Sequence, residues 1–347
     1  MSTEEVAEQP PIAHGSGAYI RGKGAWLLGA LLAYTVIILA LMFFWSGDPP
    51  SFSPVKAAQR DATAKQREVV PGYVTVHTTI ALAETLLHKS GGYFSNDIMP
   101  PGLIMDDVPE WEFGVLQQLR DMTLALRNDF SRSQTQSQDD QDLREAHPLF
   151  SFTNDRWILP SSESQYTLAI AHLRSYLDRL SDEDQTDAQF YARADNLASY
   201  LNLVEKQLGN FSQRLSASVG QVRLNTDLSD DPQARQSTPG HRLVVTRTPW
   251  MQIDNEFYEA RGACYALIHL LKAVQHDFAP VLEDKNALVS LRQIIRELEN
   301  TQEPIWSPVI LNGGGFGAFA NHSLVMANYI SRASAGLSDL RELLDRG

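Results

Sequence analysis

Apolar and polar positions divide this chain into one uninterrupted apolar run and a longer succession of amphipathic segments. From Ala25 to Trp45 no residue is charged. Twenty-one residues at 1.5 Å rise reach ~31 Å, the thickness of a bilayer's hydrocarbon core. Beyond this run the apolar residues recur at steps of three and four, the period of a helix with one buried face. Val76, Ile80, Ala83 and Leu87 predict a helix over 74–89, ended by Gly91-Gly92. Leu116, Leu119, Met122, Leu126 and Phe130 predict a second, from Pro109 to Phe130. Tyr166, Ile170, Leu173, Leu177 and Leu180 alternate steps of four and three. After the polar stretch Ser181–Asp187 the alternation resumes at Phe190 and holds through Ala194, Leu197, Leu201, Val204, Leu208, Phe211 and Leu215. A period of 3.5 is that of a coiled-coil seam, and the short polar turn predicts an antiparallel hairpin of these two helices. Three more helices are expected over 254–278, 287–300 and 321–344, with a short β-like piece at Leu243–Thr246. Period-two alternation is never sustained. The expected fold is therefore all-α: a single N-terminal transmembrane helix followed by a helical bundle containing an antiparallel coiled-coil-like hairpin.

The segments between these elements set the expected domain plan. Residues 1–24 form a tail on the cytoplasmic side and 25–45 the spanning helix. Residues 46–71, rich in Pro, Ser, Ala and charge, read as a stalk. Residues 72–347 form the soluble domain, with exposed loops at 131–147 and 225–241. The stretch Tyr93–Trp111 holds four of its residues as Pro or Gly, yet carries Phe94, Ile98, Met99, Leu103, Ile104 and Met105. Such an apolar loop needs something to pack against.

Trp26 and Trp45 close the spanning run at both ends, and Arg21 and Lys23 precede it. Indole rings favour the membrane interface, and basic residues beside the first helix favour a cytoplasmic N-terminus with the domain exported. Lys56, Arg60, Lys65 and Arg67 on the other side weigh the opposite way. A cleaved signal peptide has a shorter apolar run and a small-residue cleavage site, and Phe43-Phe44-Trp45-Ser46-Gly47 does not supply one.

Charge and cysteine narrow the chemistry. The 347-residue chain carries a formal charge of −13, which repels phosphate backbones and argues against nucleic acid as a partner. Cys264 is the sole cysteine, so no intrachain disulfide forms. Its apolar neighbours suit a buried small hydrophobe rather than a nucleophile.

Candidate binding residues cluster before the last expected helix. Asn312-Gly313-Gly314-Gly315-Phe316-Gly317 is a glycine loop opening a helix, where free N–H groups can meet an anion. Gly313, Gly315 and Ala318 fit a dinucleotide fingerprint, but the strand that should follow and a phosphate-loop Lys-Ser/Thr pair are both absent. A tight turn that seats the helix explains the same residues. Asn312, Gly313, Gly315, Asn321 and His322, with Asp97 from the apolar loop, are the candidate ligand-binding residues. No catalytic residue, cofactor or metal site is assigned. His269 and His276 stand seven apart rather than at the four-residue spacing of zinc helices. Asp97, Asp106, Asp107, Glu110 and Glu112 could furnish an acid pair for glycoside hydrolysis, or simply be solvated and capping acids. No Gly-x-Ser-x-Gly motif is present.

Four stretches carry a resemblance: Gly91–Asp97, Pro109–Gly114, Tyr258–Gly262 and Asn321–Arg332. On these the chain resembles a family of uncharacterised bacterial membrane proteins, catalogued as domain of unknown function 2333. The resemblance implies a bacterial inner-membrane protein and brings no activity or ligand with it. The reading that follows is an envelope scaffold or protein-interaction module, with protein partners or a homo-oligomer. The alternatives are a small-ligand sensor using the apolar and glycine loops as walls, and an acid-pair hydrolase.

Overall fold

The computed structural model describes residues 17–132, 139–182, 187–224, 243–307, 309–314 and 317–346. It falls into two compact units, Met1–Trp45 and Ser46–Gly347. The first contains α1 (Gly17–Trp45), which carries no charged residue from Ala25 onward. Its span Trp26–Trp45 has a mean hydropathy of 2.6, long and apolar enough to cross a bilayer. The helix begins at Gly17, so the last eight residues of the expected tail are helical. Side chains at Arg21 and Lys23 lie outside those described.

The second unit is almost entirely helical: α2 (Pro54–Ala64), α3 (Tyr73–His88), α4 (Asp107–Ala125), α5 (Gln141–Phe150), α6 (Ser162–Leu180), α7 (Ala194–Ser216), α8 (Ile253–Asp277), α9 (Ala279–Asp284), α10 (Leu288–Glu299) and α11 (His322–Asp345). Strands β1 (Gln221–Leu224) and β2 (Leu243–Thr246) pair antiparallel between α7 and α8. The expected loop 225–241 that joins them lies outside the described residues.

At the centre lies α8, buried nearly all round. It runs parallel to α4, and the two backbones nearly touch. A Cβ on Gly114 would stand 2.0 Å from the carbonyl oxygen of Glu259, and one on Gly262 would stand 2.0 Å from that of Trp111. Only glycine permits this approach. Indole and phenol then fill the adjoining space, with Trp111 against Tyr265 at 5.3 Å.

Three sequence expectations are corrected. The predicted hairpin of α6 and α7 is not formed. α6 packs on α5 and α3, whereas α7 pairs with α11. Ser212 Oγ donates to the Ala327 carbonyl and Ser334 Oγ to that of Glu205, so the α7–α11 pair is antiparallel. A heptad seam shows that a helix has a partner and leaves the partner's identity open.

The stalk is not a stalk. Pro54, Ala58 and Ala62 line one face of α2 and are buried against α3 and α8. Alanine at four-residue spacing contributes little to a hydropathy pattern but makes a flat packing face. The loop placed at 131–147 ends at Asp140, whose carboxylate caps α5 by accepting from Asp142 N and Leu143 N. Leu143, Ala146 and Phe150 bury the inner face of that helix. Arg179 of α6 grips both Asp140 and Asp142, at 2.9 and 2.7 Å.

Candidate functional site

The helical unit has two ends. At one lie the N-termini of α4, α6, α8 and α11 and the C-termini of α3, α7 and α10. At the other lie the opposite termini of these helices. Residues 48–52 start near the first end and are fastened along α8. The Asp48 carboxylate accepts from Arg261 Nε at 2.8 Å, the Pro50 carbonyl from Tyr265 Oη at 3.0 Å, and His269 Nε2 from Phe52 N at 3.1 Å. Arg261 is buried and also donates to the carbonyls of Thr301, Gln302 and Glu303. It thereby ties the segment after the spanning helix to the segment after α10.

His269 is one of the two histidines weighed for metal. Its Nδ1 donates to the Tyr265 carbonyl at 2.7 Å, which leaves Nε2 as the acceptor for Phe52 N. Burial lowers its pKa to about 4, so the ring is neutral. Phe52 stacks on it at 4.3 Å. Among the described residues no three His, Cys, Asp or Glu side chains gather to hold a metal ion. Cys264 is fully buried, and burial pushes its thiol up to about 12.

Beside Arg261 opens a cleft of about 460 Å³. Phe257 forms its floor, Ile305, Trp306 and Leu311 one wall, and Val325, Met326 and Tyr329 of α11 the other. Trp306 is 95% exposed at the rim. His322 lines the same space. Its Nδ1 accepts from Leu311 N at 3.2 Å, so the neutral ring keeps its proton on Nε2, a free donor among apolar walls. Burial holds its pKa below the ordinary histidine value.

The described residues of the glycine loop lie next to Leu311 and His322, which line the cleft. Gly313 N donates to Ala320 O and His322 N to Leu311 O, pairing 311–313 with 320–322. Asn321 Oδ1 accepts from Leu324 N and caps α11, while its Nδ2 donates to Gly313 O at 2.7 Å. Ser323 Oγ donates to Asn312 Oδ1. The α11 N-terminus is thus already capped from within. Asn312, Gly313, Asn321 and His322 are brought together, and of these His322 faces the cleft. Gly315 lies outside the described residues. Asp97 sits elsewhere, beside Gly102, where a Cβ would meet its carboxylate at 2.1 Å. Trp306, Phe257 and Tyr329 were missed in the sequence. The signal for Trp306 was a lone aromatic bracketed by Pro304 and Pro308.

The apolar loop 93–106 is held from beneath. Glu112, fully buried, pairs with Lys89 and accepts from Phe94 N and Ser95 N, both at 2.8 Å, and from Ser95 Oγ. Burial pushes Glu112 up and Lys89 down, and each is opposed by the other's charge. The acids Asp106, Asp107 and Glu110 lie by the start of α8, with Asn255 Nδ2 donating to Glu110 at 3.0 Å. Burial and the neighbouring carboxylates push Asp107 up to about 7.

The family model of an uncharacterized protein conserved in bacteria, DUF2333, matches residues 20–347. The chain belongs to this DUF2333 family. That match covers the spanning helix, the Asp48–Arg261 clamp and the cleft alike. No curated protein and no solved structure matches the chain.

Proposed function

We propose that this DUF2333 protein is a single-pass membrane protein whose exported helical domain is a non-catalytic interaction module of the bacterial envelope. The cleft beside Trp306 takes an apolar segment of a protein partner. One observation carries this reading: a concave, apolar cleft whose rim is an almost wholly exposed tryptophan. Buried aromatic anchors at the centre of an interface dominate its energy, and a free tryptophan at a cleft mouth is poised to become one. His322 Nε2 would supply the single directional hydrogen bond.

The test is photo-crosslinking in cells. A photoreactive residue at Trp306 or Val325 of the full chain should give a discrete heavier adduct, and one at Asp284 should not. Absence of an adduct at both cleft positions would contradict the reading.

The volume favours a second reading, since small-molecule pockets run from ~300 to ~1,000 Å³. A small amphipathic ligand that raised the melting temperature of the wild type, and not of Met326→Glu, would support it.

A further inference from the structure

Most of the large apolar side chains exposed on the helical unit lie at one end, although Val289 at the other end is also exposed. Loop 93–106 exposes Met99 and Leu103, loop 151–161 exposes Trp157 and Leu159, and the turn before α8 exposes Trp250 and Met251. Each is more than half exposed, with Met99 at 70% and Leu159 and Trp250 at 83%. These loops are fixed to one another. Asn96 Nδ2 donates to the Arg156 carbonyl at 3.1 Å, and Tyr93 Oη to that of Asn154 at 2.9 Å. The Glu110–Asn255 bond joins the first turn of α4, which follows loop 93–106, to the first turn of α8, which follows the 250–251 turn. At the opposite end the connections are polar, as in Glu283, Asp284, Lys285 and Asn286. Contiguous exposed apolar surface on a folded domain marks a face that meets something apolar.

The polypeptide itself says what that is. Asp48 lies three residues beyond Trp45, a reach of at most ~10 Å. From Asp48 the chain runs along α8 from Arg261 to Tyr265 to His269, away from the apolar end. Followed backwards it leads toward that end. Arg261 is eight residues from Ile253, ~12 Å along the helix. The reach of the tether is therefore comparable with the distance from the clamp to the start of α8.

We infer that the loops at this end rest in the interfacial layer of the bilayer that holds the spanning helix. Indole, thioether and aliphatic side chains enter the headgroup–acyl boundary there. The Asp and Glu side chains beside them leave anionic headgroups unattractive, so apolar insertion rather than charge holds the face. Because the domain is tethered, a weak surface suffices. This inference rests on the anchoring part of the proposed function and goes beyond it.

The test uses the full chain in phosphatidylcholine vesicles carrying a nitroxide at carbon 5 of the acyl chain. Cys264 is buried, so a fluorophore can be placed at Met99→Cys, Leu159→Cys or Met251→Cys, with Asp284→Cys as the distant position. The expected result is loss of most of the fluorescence at the first three positions and little at Asp284, independent of the protein-to-lipid ratio. Unquenched labels on protein that resists carbonate extraction would overturn the inference while leaving the anchor intact, and would give the face to another protein. Quenching that disappears on dilution to one copy per vesicle would give it to a second copy and overturn the inference equally. Release of the protein by carbonate would overturn the anchoring and the inference together.

Discussion

The two ends of the helical unit use aromatic residues in different ways. At the end remote from the clamp, Phe278 is fully buried and meets Phe130 at 5.1 Å and Phe190 at 5.6 Å. Tyr176 is also buried there and donates to the Gln189 carbonyl at 2.6 Å. The rings close the bundle like a plug. At the clamped end Trp157, Trp250 and Trp306 are exposed, while buried Arg261 holds the segment leading to Trp306, and Ser162 and Asn96 hold the loop that carries Trp157. One end uses its aromatics for stability. The other buries Tyr93, Phe94 and Trp111 in the same way but also leaves three tryptophans exposed.

That contrast makes the expected effects of substitution unequal. Phe278→Ala should cost about 4 kcal/mol of unfolding free energy, as a large buried ring replaced by a cavity does. Denaturant titration in detergent checks it, and a cost under ~1 kcal/mol would remove the plug from the account. Glu112→Ala should cost about 3 kcal/mol, because the Lys89 ammonium and the Phe94 and Ser95 amides lose their buried acceptor. Its diagnostic is local: faster hydrogen exchange over 93–96, with the remote end unchanged.

The next effect depends on pH. His269 stays neutral in the fold to about 4, against 6.5 for an unperturbed histidine. As pH falls from 6.5 toward 4 the unfolded chain takes up a proton that the folded ring refuses. Stability is therefore lost over that window, by roughly 3 kcal/mol in full. His269→Gln should flatten this part of the pH profile, and the Phe52 amide of the wild type should lose protection, relative to its intrinsic exchange rate at each pH, as the pH is lowered.

Asp107 has the opposite sign. Its folded pKa of about 7 lies above the ordinary 3.8, so stability falls as pH rises between these values and the cost is complete above 7. Asp107→Asn should stabilise by about 1 kcal/mol at pH 8, after allowance for solvent screening at a partly exposed site, and by nothing near pH 3. The smallest effect belongs to the outward aromatics. Trp250→Ser should change stability in detergent by less than ~0.5 kcal/mol. A large loss would mean that the indole is part of the core, and the contrast between the ends would fail.

Much of this architecture was legible in the sequence. The spanning run and the helices with Leu, Val and Phe at three–four spacing were plain, because a buried face of large side chains imposes its period. What failed to show was packing made by small residues or fixed by distant ones. α2 is seated through Ala58 and Ala62, which a hydropathy pattern barely registers. α5 hides its face behind Glu145, His147 and Pro148, and its start is set by Arg179, about forty residues on. The partner of α7 is more than a hundred residues away, so its heptads could not name it. At the site, Asn321 and His322 stood out as part of a conspicuous loop. Trp306 did not, because its significance is exposure at the rim of a cleft, and exposure is a property of the folded chain.

With the loops of the clamped end resting on the bilayer, as proposed, the aromatic plug faces away from it. Hydrogen–deuterium exchange of the full chain, in detergent and then in lipid nanodiscs, tests it directly. Slower exchange in nanodiscs over 97–104, 156–160 and 248–252, with 278–287 unchanged, is the predicted result. Equal exchange at both ends in the two environments, or protection confined to 278–287, would contradict it.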